Sequence, residues 1–216
     1  MPLQNKNIIF LHGTGQSSLS YNFLDVFLPG HRVYCHEYNV QDDIYGIVND
    51  AYQFYLDNMF SQPVSIVAHS YGCLIGILLA EKIKQIEHFI ALSAPWGGSR
   101  TAGWLSMVFR QSKLFANTKP GSDLITSFAN ITNKYPITNV ITTGSTSSGN
   151  ALAGFGSSDN DGMLTVETQC AYPKSFKNVT NIKLPLSHNE ILLSMDTVDI
   201  IRGVIFDDDD SKSHTE

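Results

Sequence analysis

Along the 216-residue chain, short apolar runs alternate with longer stretches in which apolar residues recur every three or four positions. The short runs read as buried strands: Asn7–Leu11, Arg32–Tyr38, Val64–Ala68, Phe89–Leu92, Asn139–Thr143 and Asn181–Leu184. Between them, the stretches near Ser20–Phe27, Asp42–Phe60, Tyr71–Lys84 and Asn189–Phe206 have the length and spacing of helices. In the last, Ile191, Met195, Val198, Ile201 and Ile205 make one apolar stripe. Strand and helix in alternation predict an α/β architecture, with about six mostly parallel strands and helices on both faces.

Two segments break the rhythm. Residues 97–136 are far longer than the usual connection of about 2–6 residues plus a helix, and they carry Trp104, Phe109, Leu114, Phe115, Leu124 and Phe128. They read as a small helical insertion, either ordinary packing helices or an apolar cap over a site. Gly144–Gly162 is rich in Gly, Ser and Asn and reads as a long loop, of the kind that is either functional or disordered.

Composition then narrows the class. With 43% hydrophobic and 16% charged residues the chain is globular rather than disordered. Its length predicts one domain over residues 1–206. The net charge of −6 is unevenly spread, because Asp207, Asp208, Asp209, Asp210 and Glu216 stand against Lys212 alone in the last ten residues. That end reads as an extended acidic tail. The remaining body is close to neutral and has no Lys/Arg cluster, which excludes a nucleic-acid footprint. The start of the chain lacks the pattern of a secretory signal, and the longest apolar run, near Tyr71–Ala80, is too short for a membrane span. The expectation is a cytoplasmic protein with no integral membrane segment. Three cysteines without metal spacing read as free thiols, buried at Cys35 and Cys73.

The strongest chemical signal is Val64-Ser65-Ile66-Val67-Ala68-His69-Ser70-Tyr71-Gly72. A buried strand enters a small-x-Ser-x-Gly turn and leaves directly as a helix. A serine on so sharp a turn takes unfavourable backbone angles, and small residues two positions either side let strand and helix pass closely. Its hydroxyl then projects at a helix N-terminus, where the peptide dipole favours developing negative charge. Upstream, Ile8-Ile9-Phe10-Leu11-His12-Gly13-Thr14-Gly15 ends a strand in a glycine-rich turn whose N–H groups can face a ligand. Acyl transfer needs two donors aimed at the oxyanion, and the natural pair is the N–H of Thr14 and that of Tyr71. Downstream, Asp159-Asn160-Asp161-Gly162 and Ser187-His188-Asn189-Glu190 each follow a predicted strand. The order Ser70, Asp161, His188 therefore falls at the strand ends where open α/β sheets hold their sites.

On these residues the chain resembles an α/β-hydrolase, with the minimal fold of the compact lipases and esterases. Ala68-His69-Ser70-Tyr71-Gly72 is similar to the elbow of small Bacillus-type lipases, with Ala68 in place of the usual first glycine. Ser93-Ala94-Pro95-Trp96-Gly97-Gly98 resembles a segment of lecithin–cholesterol acyltransferase-like enzymes. The resemblance implies a Ser-His-Asp mechanism. Ser70 is its nucleophile, His188 the base and Asp161 the acid, with Asp159 as the competing acid. His69 reads as structural, its side chain pointing away from the nucleophile. His12, Trp96 and Trp104 are the candidate substrate contacts.

No phosphate loop, dinucleotide fingerprint or metal-ligand cluster competes, so neither cofactor nor metal is implied. The EF-hand template fails on Ser157 and Thr168. The implied substrate is a small-molecule or lipid ester, with transient contact at a lipid surface for the latter. An acyltransferase on the same triad, and a catalytically silent hydrolase fold used for binding, are the alternatives.

Overall fold

The computed structural model describes residues 6–28, 30–59, 61–100, 112–145 and 159–206. Strands β1 (Lys6–Leu11), β2 (His31–Cys35), β3 (Val64–His69), β4 (Ile86–Leu92), β5 (Ile137–Thr142) and β6 (Val179–Leu184) form one parallel sheet in the order β2-β1-β3-β4-β5-β6. Each neighbouring pair is parallel, and the registers Leu11↔Ala68, His69↔Leu92, Leu92↔Val140 and Thr142↔Leu184 align the carboxyl ends along one edge. The loops that follow β1, β3, β4, β5 and β6 therefore all open on that edge.

Alternation along the strands divides the core into two layers. Ile9, Leu11, Ile66, Ala68, Phe89 and Ala91 face one side. There they pack on α2 (Ile44–Met59) and α3 (Tyr71–Ala80). Ile8, Phe10, Val67, Ile90, Leu92 and Val140 face the other. They meet α1 (Asn22–Phe27) and α7 (Met195–Ile205) through Leu24, Val198, Ile201 and Ile205. Each buried Val, Leu, Ile or Phe among them contributes about 1.5–3 kcal/mol. Helix α3 is apolar all round because it is covered all round: every residue from Tyr71 to Ala80 except Leu78 is buried.

The insertion after β4 contributes α4 (Lys113–Thr118), α5 (Asp123–Ser127) and a 3₁₀ turn, Phe128–Asn130. Ser112 and Ser122 cap the two helices by accepting the N–H groups of Phe115 and Ile125. Leu114, Leu124 and Phe128 are buried in the layer that holds α2 and α3, so the described part of the insertion is a packed wall of the domain. Trp104 and Phe109 lie outside the described residues, as does the acidic tail.

Elements differ from expectation where local pairing overrides pattern. Strand β2 stops at Cys35 rather than running to Tyr38, because its pairing with β1 ends at Phe10↔Cys35; the Tyr38 hydroxyl donates to the His12 carbonyl at 2.5 Å. The expected final helix is broken at Ser194, which is extended (φ −106°, ψ 135°) and accepts the Asp196 N–H as an N-cap. A 3₁₀ turn, Glu190–Leu193, precedes the break. Helix α6 (Val166–Cys170) was not legible in the sequence, since five residues are too few to display a helical period. Among the described residues no helix is long and apolar enough to cross a membrane. Cys73 is buried, Cys35 half-buried and Cys170 exposed, and all three are free thiols.

Candidate active site

Ser70 stands between β3 and α3 with φ 52° and ψ −123°, the left-handed backbone that a strand-to-helix elbow imposes. Its N–H donates to the Leu92 carbonyl at 2.9 Å, which anchors the turn to β4. Gly72 explains why the elbow tolerates so little bulk: a Cβ there would lie 2.2 Å from the Leu11 carbonyl oxygen and 2.7 Å from that of His12. The glycine lets α3 press against the end of β1, and so brings the loop after β1 to the serine. A Cβ on Gly13 would stand 2.9 Å from the Ser70 Cβ. Among the described residues, the Thr14 and Tyr71 N–H groups meet no acceptor in the protein.

His188 follows β6 and is 4% exposed. Its Nε2 lies 2.9 Å from Ser70 Oγ and its Nδ1 lies 2.8 Å from Asp161 Oδ2. An ionised carboxylate only accepts, so the proton sits on Nδ1 and Nε2 is free to accept from the serine. Asp161, only 1% exposed, is surrounded by donors. Its Oδ1 takes the N–H groups of Met163 at 2.9 Å and Leu164 at 2.7 Å. Its Oδ2 takes the Thr142 hydroxyl at 2.6 Å as well as His188. Burial pushes the Asp161 pKa up. The hydrogen bond and charge of His188, with the bonds from Thr142 and Leu164, more than offset it, and the carboxyl is held below its ordinary range. Asp161 thus stays ionised while buried.

The carboxylate is itself positioned from below. The single proton of Thr142 goes to Asp161, so the contact at 2.7 Å between Ser93 Oγ and Thr142 Oγ1 is a bond donated by Ser93. Ser93, fully buried and also at positive φ (51°), ends β4 as Ser70 ends β3. Gln169 on α6 clips the end of β5, accepting the Thr142 N–H at 2.9 Å and donating to the Thr142 carbonyl at 3.0 Å. A backbone bond from the His188 N–H to the Asp161 carbonyl, 2.9 Å, ties the two loops together.

Of the residues expected at the site, Ser70, Asp161 and His188 come together; Tyr71 adjoins Ser70 in the chain, and Gly13, which precedes Thr14, lies against Ser70. Asp159 does not: the side chain bonded to His188 is that of Asp161. Trp96 corrects an expectation. It is 1% exposed, donates its indole N–H to Asn139 at 3.0 Å and packs edge-on against Phe176, so it fills the core rather than lining a substrate site. His12 is likewise 1% exposed, stacked on Tyr38 at 4.0 Å, with Nδ1–H donating to the Gly13 carbonyl at 3.1 Å. Its role is to support the turn. Trp104 lies outside the described residues.

His69 makes structural contacts, its ring nitrogens near Gln16 Oε1 (2.9 Å) and the His188 carbonyl oxygen (2.8 Å). Sequence reasoning missed Thr142, Ser93, Gln169 and Gln16. The first two could have been suspected, since both stand at carboxyl ends of strands. Among the described residues no three His, Cys, Asp or Glu side chains are grouped to hold a metal.

The chain belongs to the alpha/beta hydrolase family, whose model matches residues 8–145, more than half of it. Its fold is shared with several solved structures. The mature lipase BlEst2 of Bacillus licheniformis superimposes with a TM-score of 0.72 at 19% identity, covering 95% of this chain and 94% of that one. The esterase PF2001 of Pyrococcus furiosus gives a TM-score of 0.64 at 18% identity, covering 93% and 80%. The product of gene lin2722 from Listeria innocua gives 0.63 at 12% identity, covering 93% and 94%. No curated protein matches the sequence.

Proposed function

We propose that the protein is a serine hydrolase of carboxylic esters, working through an acyl-enzyme. The observation that carries this reading is the hydrogen-bonded run from Ser70 Oγ to His188 (2.9 Å) to Asp161 (2.8 Å), mounted on a strained elbow at a helix N-terminus. In this reading Ser70 Oγ attacks the ester carbonyl carbon as His188 Nε2 takes its proton. The carbonyl electron pair moves onto oxygen, where the Thr14 and Tyr71 N–H groups receive it. When the intermediate collapses, the C–O bond to the alcohol breaks and His188 returns the proton to the departing oxygen. Water, deprotonated by the same imidazole, then attacks the acyl carbon and releases the acid and the free serine. Asp161 holds the ring in the required tautomer and stabilises the imidazolium. The lipase and the esterase among the solved neighbours support an ester, small or lipid, as substrate.

The test is hydrolysis of nitrophenyl esters of increasing acyl length, beside Ser70→Ala. Loss of the serine should lower kcat by about 10⁵–10⁶, and a fluorophosphonate should label the native protein alone. Equal activity in the two proteins overturns the reading. A preference for acetyl over every longer chain removes the lipid part of it. Failure of Ser70 to label favours a silent fold.

A further inference from the structure

Gln16 belongs to no motif, yet its amide meets three elements of the catalytic edge at once. Oε1 accepts the Gly13 N–H at 2.8 Å and lies 2.9 Å from His69 Nδ1. Nε2 donates to Asn189 Oδ1 at 3.1 Å. Gly13 directly precedes Thr14, His69 precedes Ser70, and Asn189 follows His188. Strands β1 and β6, whose loops carry Gln16 and Asn189, are separated in the sheet by β3, β4 and β5, so no ladder holds these loops in register. We propose that Gln16 is a positioning residue, which sets the aim of the Thr14 N–H through Gly13 and locks the oxyanion loop to the loop of His188. This rests on the serine-hydrolase reading above.

Donor accounting shows why a glutamine suits the position. The Gly13 N–H can only donate, so the amide must turn its oxygen to Gly13 and its NH₂ to Asn189. The carbonyl of His188, near His69 Nε2, can only accept. Both nitrogens of His69 therefore face acceptors, while burial keeps the ring neutral with one proton to give. That proton serves either the Gln16 oxygen or the His188 carbonyl, so His69 alone cannot hold both loops. The bond from Gln16 to Asn189 supplies the second link. Packing adds to the constraint: a Cβ on Gly13 would fall 3.1 Å from Gln16 Oε1, so amide and turn are in close contact.

The experiment uses the full chain with Gln16→Met, which matches the length and removes the amide, and Gln16→Glu, which retains an acceptor for Gly13. Nitrophenyl-ester kinetics, thermal melting, and amide-proton exchange of Gly13 and Thr14 are read on each. A misaimed donor costs on the order of 10- to 100-fold in rate. Gln16→Met should lower kcat by that factor with KM within about threefold and should speed exchange of the Gly13 amide. Gln16→Glu should restore its protection. Unchanged kcat in a folded Gln16→Met protein overturns the proposal, as does wild-type exchange at Gly13. If Gln16→Met fails to fold, unprotected Gly13 in Gln16→Glu overturns it equally. The exchange arm, repeated in Ser70→Ala, does not depend on turnover. A failed ester reading with Gly13 protection still set by Gln16 thus differs from a failure of the Gln16 proposal.

Discussion

Replacing Thr142 by valine removes one hydroxyl from beneath the site and changes little else in shape. In the native protein that hydroxyl donates to Asp161 Oδ2 at 2.6 Å and receives the Ser93 hydroxyl at 2.7 Å, with both partners buried. A hydrogen bond to a charged group contributes roughly 1.5–3 kcal/mol, and leaving the Ser93 donor without an acceptor adds roughly 1 kcal/mol or more. A loss of about 3 kcal/mol corresponds to a Tm lower by roughly 6–12 °C in a domain of this size. Removing a donor from the carboxylate also weakens what holds its pKa down, so Asp161 takes up its proton at a higher pH than in the native protein. Thermal melts and an NMR titration of the Asp161 carboxyl measure the two effects. Ser93→Ala, alone and with Thr142→Val, completes a cycle whose coupling should lie between about 0.5 and 3 kcal/mol. An unchanged Tm, or strictly additive losses, would refute the donor chain from Ser93 through Thr142 to Asp161.

Three further outcomes follow from the same geometry. Asp161→Asn should lower kcat by about 10⁴ through the wrong imidazole tautomer, whereas Asp159→Asn should leave it within about twofold; comparable losses in both would contradict the assignment of the acid. Trp96→Phe should destabilise by about 1–3 kcal/mol, by orphaning the buried oxygen of Asn139, and should leave the acyl-length preference as it was. A changed preference would return Trp96 to the substrate site. Burial, with the charge of neighbouring His188, pushes the His69 pKa down to about 3. The unfolded chain therefore binds this proton below about pH 6.5 while the folded protein refuses it, and stability is full above that pH and falls as pH falls. From pH 6.5 to 5 the loss is about 2 kcal/mol; denaturant midpoints should show it in the native protein and not in His69→Gln, and equal slopes would exclude His69 as the cause.

How much of this was legible beforehand follows from the range over which each signal acts. Strand order along the chain, the parallel sheet and the elbow are written in short-range patterns. Val64–Ala68 is apolar except at Ser65 because the strand is covered on both faces, and Ala68, Ser70 and Gly72 are spaced by the needs of one turn. Even the order Ser70, Asp161, His188 could be read, since each follows a strand.

Other features have no local signature. The choice of Asp161 over Asp159 depends on which carboxylate the Met163, Leu164 and Thr142 donors surround. Trp96 and His12 carry side chains suited to contact a ligand, and only the packing of Phe176 and Tyr38 on them shows that they are enclosed. Period and turn chemistry act over a few residues, so the architecture and the candidate reacting groups are legible in the amino-acid sequence. Tertiary structure alone decided which groups support them. Thr142 reaches Asp161 across 19 positions and Gln16 reaches Asn189 across 173. Such pairs meet only where the sheet's register brings its carboxyl ends together.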